Sequence, residues 1–94
     1  MDVVKVLGTK KNHKVFLYAL STCAWCKKTK KLLQDKGIEY EYVDVDKCSQ
    51  KDLEKIKEDI DKRGARMSFP LVIVDDKTCI NGYQEDQILE ALQV

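Results

Sequence analysis

The chain has 94 residues, 44% of them hydrophobic and 35% charged, with 17 basic against 16 acidic side chains for a net charge of +1. That length and makeup fit one small folded domain with a single core, and exclude a disordered or low-complexity segment. The near-neutral balance excludes a global field of the kind that draws nucleic acid or a membrane surface, and no stretch approaches bilayer-spanning length.

Residues 1–13 form an extension whose apolar part, Val3 to Leu7, predicts an extra strand or arm on the domain edge, followed by a polar stretch. The opening segment lacks the basic start and long apolar run of a secretory leader, so a reducing, cytoplasmic setting is expected. The domain proper spans 14–94. Its first strand is the continuous apolar run Val15-Phe16-Leu17-Tyr18-Ala19-Leu20, patterned for burial on both faces. Residues 24–36 read as a helix with Cys26, Thr29, Leu32 and Leu33 inward, lysines outward and Gly37 as its end. Residues 40–45 alternate as a second strand. Ser49 is placed to cap a helix running to about Arg63, with Leu53, Ile56 and Ile60 as its apolar stripe and Gly64 behind it. Two further strands, 70–74 and 77–80, flank Asp75-Asp76 as a two-residue hairpin turn. A last helix after Asn81-Gly82 carries Ile88, Leu89 and Leu92 inward. The order β-α-β-α-β-β-α joins a parallel βαβ half to an antiparallel hairpin, which predicts an α/β sandwich with helices covering a mixed sheet.

The chemistry concentrates in Cys23-Ala24-Trp25-Cys26, between the first apolar strand and the lysine-rich helix. A thiol at a helix N-terminus faces unpaired backbone N–H groups and the positive end of the helix dipole, which favour its thiolate. A second cysteine three residues on lies on the same helical face, so a short intramolecular disulfide is geometrically accessible. Cys23 is therefore the expected attacking thiol, forming a mixed disulfide with substrate, and Cys26 the resolving thiol that attacks the Cys23 sulfur. Lys27, Lys28, Lys30 and Lys31 crowd the same helix while Glu39, Glu41, Asp44 and Asp46 follow it. That run reads either as a solvated helix face or as a positive rim for a thiolate or an anionic partner. Trp25 either covers the thiols and meets partners or is a surface aromatic.

The remaining reactive residues carry less. Cys48 precedes a helix cap, where the dipole could also favour reactivity; Cys79 reads as a small apolar filler in a strand. His13 is expected on the surface. A structural zinc site needs four ligands and no second ligand pair is visible, so no metal is expected. A ferredoxin-like metal chaperone also places CxxC after its first strand, but it would continue with two hairpin strands where residues 49–63 read as a helix.

The strand, the Ser-Thr-Cys-Ala-Trp-Cys run, the helix, Ser68-Phe69-Pro70 before a hairpin and Gly82-Tyr83 before the last helix together resemble the glutaredoxin family over residues 14–94. The resemblance implies a thioredoxin-like three-layer fold, with a four-stranded mixed sheet, its first strand central, and three helices. It implies a thiol–disulfide oxidoreductase acting on protein or glutathione mixed disulfides, a cis Phe69–Pro70 bond, and a substrate platform of Ser68, Phe69, Pro70, Gly82 and Tyr83 beside Trp25. It implies a monomer with no tightly bound cofactor, glutathione as a possible co-substrate, and a potential of about −200 to −230 mV.

Several positions depart from the family pattern. Ala24 stands where proline usually follows the first cysteine, Leu20 where a lysine usually helps hold a glutathione carboxylate, and Asn81-Gly82 where two glycines and then an acidic pair are usual. Lys27, Arg66 and Glu85 are candidates to replace the lost glutathione contacts. These departures leave two reductants open: glutathione, or a thioredoxin-reductase-type or other dedicated reductase. Ala24 also keeps open an alternative role, a carrier of a [2Fe–2S] cluster through Cys23 with glutathione as co-ligand.

Overall fold

A computed structural model describes all 94 residues. The elements run β1 (Val4–Val6), β2 (Val15–Ala19), α1 (Ala24–Asp35), β3 (Tyr40–Asp44), a single 3-10 turn (Val45–Lys47), α2 (Gln50–Lys62), β4 (Leu71–Val74), β5 (Thr78–Asn81) and α3 (Glu85–Leu92). One sheet in the order β1-β3-β2-β4-β5 holds all the strands. β2 pairs in parallel with β3 and antiparallel with β4, and β4 pairs antiparallel with β5.

The apolar run of β2 is buried because helices cover the sheet on both sides. Val15, Leu17 and Ala19 join Val72 and Val74 of β4 against Cys26, Leu32 and Leu33 of α1 and Ile88 and Leu92 of α3. Tyr18 points to the opposite face with Val43, Leu71 and Ile73, under Ile56 and Ile60 of α2. The strand period of two thus sends alternate residues of β2 and β4 into two separate cores. The expected stripes hold, with Leu53 and Leu89 only half-buried at their margins. Ser49 caps α2 by accepting the Asp52 N–H at 3.2 Å.

Asp75 and Asp76 make the two-residue turn between β4 and β5 with φ of 54° and 57°. Positive φ at both central positions gives a turn whose twist matches that of the flanking strands. The side chains then tie the turn down. Asp75 accepts from the Lys14 N–H at 2.9 Å and meets His13 Nδ1 at 2.7 Å, while Asp76 pairs with Lys14 and Arg63. His13, expected as a plain surface residue, is part of this anchor.

The sheet differs from expectation in having five strands rather than four. The fifth is β1, paired antiparallel with β3 through Val4↔Tyr42 and Val6↔Tyr40. Its alternating Val-Lys-Val covers what would otherwise be the free edge of β3. The expected strand 40–45 also stops at Asp44, and Val45 turns into the 3-10 segment with its side chain buried in the α2-side core.

After β1 the chain crosses close over the α1–β3 connection. Lys10 N–H donates to Gly37 C=O at 2.9 Å and Lys10 C=O accepts from Glu39 N–H at 3.1 Å. Gly8 sits under this crossing, where a Cβ would lie 2.6 Å from Glu39 N and from Gly37 O. Both obstacles are backbone, which cannot swing aside as a side-chain tip can. Gly8→Ala is therefore expected to destabilise the protein by about 1–3 kcal/mol in urea unfolding. A midpoint equal to wild type would mean that the crossing is not closely packed.

Candidate functional site

The sheet order brings three chain reversals to one end of the molecule. β2 runs parallel to β3 and opposite to β4, with Tyr18 facing Leu71, and Leu71 in turn faces Asn81 at the end of β5. The loop leaving β2, the residues entering β4 and those leaving β5 are therefore neighbours. They are Ser21–Cys23, Ser68–Pro70 and Gly82–Tyr83.

Cys23 is the N-cap of α1. Its extended backbone (φ −85°, ψ 118°) turns the side chain back over the first turn, where Sγ accepts the Cys26 N–H at 3.2 Å. Cys23 N–H is itself held by Leu20 C=O at 3.2 Å. The two thiols differ sharply in environment. Cys23 is half-buried, whereas Cys26 is wholly buried among Leu32, Leu33 and Ile88. Burial, and then the neighbouring Cys23, push the Cys26 thiol up to about 12. Below α1, Lys30 Nζ lies 3.8 Å from the Tyr42 ring centroid and 3.3 Å from Asp44 Oδ1, so the lysine nearest the core is paired rather than free.

The loop carrying Cys23 is fixed from its other side by Asp46, which accepts from both the N–H and the hydroxyl of Ser21. Those two bonds hold the Asp46 carboxyl below its ordinary range. An acidic residue just after the second strand gave no sequence signal of this contact, because the contact depends on β2 and β3 ending side by side.

Beside the dithiol, Trp25, Phe69, Pro70, Gly82 and Tyr83 line an open depression of about 260 Å³. Trp25 is exposed and stacks on Tyr83, with ring centroids 5.6 Å apart and planes inclined by 26°. Lys28 Nζ sits 5.0 Å from the Trp25 ring. The Phe69–Pro70 peptide is cis. Pro70 is buried, and its C=O accepts from Gly82 N–H at 2.7 Å, with Gly82 at φ 85° where a side chain would be strained. Phe69 packs on both cores, yet its own N–H and C=O bond to no other group of the protein. A cavity of about 440 Å³ lies elsewhere, between the chain start and α2. It is larger, but its one thiol, Cys48, has no second thiol beside it.

Not all expected site residues converge. Ser68 is exposed, and its C=O is used by Asn81. Lys27 and Glu85 are exposed and make no ion pair; neither lines the depression. Leu20 packs towards the α2-side core, so no charged group takes the place of the family's usual lysine there. Cys48 donates to Asp44 C=O at 3.6 Å, and burial followed by the Asp52 carboxylate pushes its thiol up, which opposes activation by the helix it precedes. Cys79 is half-buried against the α2-side core, as a filler would be. No group of three or more His, Cys, Asp or Glu side chains is arranged to hold a metal ion. Asn81, read from sequence only as a departure from a glycine, bridges to Arg66 and Ser68.

The glutaredoxin family model matches residues 15–79. The chain is 33% identical over 64 residues to glutaredoxin 1 of Rickettsia felis, a stretch that covers 68% of this chain and 60% of that protein's length. Among solved structures it is similar to the glutaredoxin of Methanosarcina mazei Go1, with 41% identity and a TM-score of 0.87 across 98% of this chain and 88% of that one. It is also similar to the methanoredoxin of Methanosarcina acetivorans, with 42% identity and a TM-score of 0.82 across 89% and 88% of the two chains. The chain belongs to the glutaredoxin family and has its thioredoxin-like fold.

The unequal burial of the two thiols has a direct consequence. In the reduced protein at pH 8, well below about 12, Cys26 stays protonated. Cys23 is expected to alkylate at least about tenfold faster than Cys26, since the thiolate is the nucleophile. Peptide mapping after timed iodoacetamide quenches reads the two rates; equal rates would contradict the arrangement described.

Proposed function

We propose that this member of the glutaredoxin family is a thiol–disulfide oxidoreductase that reduces mixed disulfides of proteins or of small thiols in a reducing, cytoplasmic setting. The observation that carries this reading is one accessible thiol capping a helix directly over one buried thiol three residues later.

The steps balance in atoms and electrons. The Cys23 thiolate attacks one sulfur of the substrate disulfide; that S–S bond breaks, and the departing thiolate takes a proton from water. Cys26 then gives up its proton and attacks the Cys23 sulfur, releasing the second substrate thiol and leaving a Cys23–Cys26 disulfide. Two electrons have passed to the substrate, and an external thiol reductant must return them. Cys26 is buried, so its proton must leave before its sulfur can attack that of Cys23.

Phe69 supports a mode of substrate binding. Its unpaired N–H and C=O form a short main-chain edge beside the dithiol, suited to an extended peptide or a peptide-like thiol that adds as a strand. The stacked Trp25 and Tyr83 rings give that edge an apolar wall.

The reductant follows from what lies around this edge. Leu20 is turned to the core, and Lys27 and Glu85 stand apart from the depression, which leaves Lys28, over the Trp25 ring, as the charge beside it for a carboxylate of glutathione. A thioredoxin-reductase-type or other dedicated reductase is therefore the reductant we favour. Coupled assays with one small mixed disulfide are expected to run faster with that reductase than with glutathione and glutathione reductase. Faster turnover with glutathione would overturn the choice of reductant but not the exchange chemistry.

Cys23→Ser is expected to reduce turnover to background. Cys26→Ser is expected to keep the first attack and accumulate a mixed disulfide on Cys23, visible as one substrate-sized adduct by intact mass. Full dithiol turnover in Cys26→Ser would refute the assigned roles.

A further inference from the structure

Resting on the exchange chemistry proposed above, we propose that Asn81 is a positioning residue that sets the main-chain edge of Phe69 for substrate. The residues between α2 and β4 belong to no helix or strand, and Arg66, Met67 and Ser68 are exposed. A loop so placed needs hydrogen bonds from elsewhere to hold one shape. One side chain supplies them. Asn81 Oδ1 accepts from Arg66 N–H at 3.2 Å, and Asn81 Nδ2 donates to Arg66 C=O and to Ser68 C=O, each at 2.9 Å. These are the only hydrogen bonds made by the main chains of Arg66 and Ser68.

The next residue completes the brace. Gly82 N–H donates to Pro70 C=O at 2.7 Å. Asn81 thus fixes the chain before Phe69 and Gly82 fixes it after Pro70, both from the end of β5, which the ladder with β4 holds in register. Phe69 hangs between two anchors with its own N–H and C=O unspent. A preset edge spares the substrate the entropy of ordering that loop, so the effect should fall on binding rather than on the chemistry of Cys23. At this position the family pattern has the first of two glycines, which offers no side chain for the task. The brace is thus a feature by which this chain tunes its own substrate edge.

The test uses Asn81→Ala and Asn81→Asp. The aspartate nearly preserves volume and keeps an acceptor for Arg66 N–H, but it loses both donors and sets a carboxylate against two carbonyl oxygens. Both variants are expected to raise KM for a peptide mixed disulfide about fivefold or more, the scale set by losing hydrogen bonds of about 1 kcal/mol each. Both should leave the iodoacetamide rate of Cys23 unchanged, because that reaction needs no platform. A wild-type KM in Asn81→Asp, or a Cys23 alkylation rate that falls in step with kcat/KM, would overturn the proposal. Amide exchange in the unaltered protein gives an answer even if a variant fails to fold. The Arg66 N–H should exchange at least about tenfold slower than an unstructured amide, and exchange at the unstructured rate would overturn the brace. Absence of turnover by the wild-type protein would instead count against the oxidoreductase reading, and the exchange measurement would still decide whether Asn81 holds the loop.

Discussion

The hydrogen bond from the Cys26 N–H to the Cys23 sulfur, 3.2 Å long, joins the fold to its chemistry. A helix start needs an acceptor for its orphan N–H groups, and serine, threonine, aspartate or asparagine would normally provide it. Here the cap is a sulfur. Sulfur is a weaker acceptor than oxygen, yet the sulfur proposed to attack substrate also closes the helix start. The same bond fixes the spacing between the two thiols. Because Cys26 is a full core residue, the cap geometry cannot relax without disturbing Leu32, Leu33 and Ile88.

The rest of the architecture holds that helix start in place and brings the unpaired main chain of Phe69 to it. β2 is central and buried, so the loop that follows it emerges at a fixed point, and Asp46 clamps Ser21 there from the neighbouring strand's exit. The antiparallel pairing of β4 with β2 and β5 makes Pro70 and Gly82 arrive at the same end. The dithiol loop thus meets, around one sulfur, chain segments more than forty residues away. Trp25 and Tyr83 stack over the gap between the dithiol loop and the β5 exit. That contact joins a residue of the CxxC segment to the platform, and a substrate crossing it would touch both.

Much of this was legible in the amino-acid pattern, for local reasons. The apolar run 15–20, the stripes of Ile56 and Ile60 and of Ile88 and Leu92, and the paired aspartates at 75–76 each carry a period or turn chemistry that acts within a few residues. The inward set of α1 could be read because Cys26, Thr29, Leu32 and Leu33 fall on one helical face. What escaped depends on contacts between distant segments. Val3 to Leu7 reads as an extra strand or arm, but which edge it covers is set only when β3 offers one. Cys48 stands one residue before the Ser49 cap of α2, and there partial burial and acidic neighbours push its thiol up. Lys27 and Glu85 have suitable chemistry and lie close in sequence to the site, but both are exposed and neither lines the depression. Asn81 reads as a missing glycine because its two partners, Ser68 and Arg66, are 13 and 15 residues away.

The central claim is that Cys23 and Cys26 are one redox unit and that the other two cysteines stand outside it. The most direct test is to react the fully reduced protein with a slight excess of a small aliphatic disulfide, quench in acid, and map every cysteine by mass spectrometry. The account predicts loss of two hydrogens, a Cys23–Cys26 disulfide as the dominant product, and free thiols at Cys48 and Cys79. A stable adduct on Cys48 or Cys79, or a disulfide that joins either of them to Cys23, would contradict it.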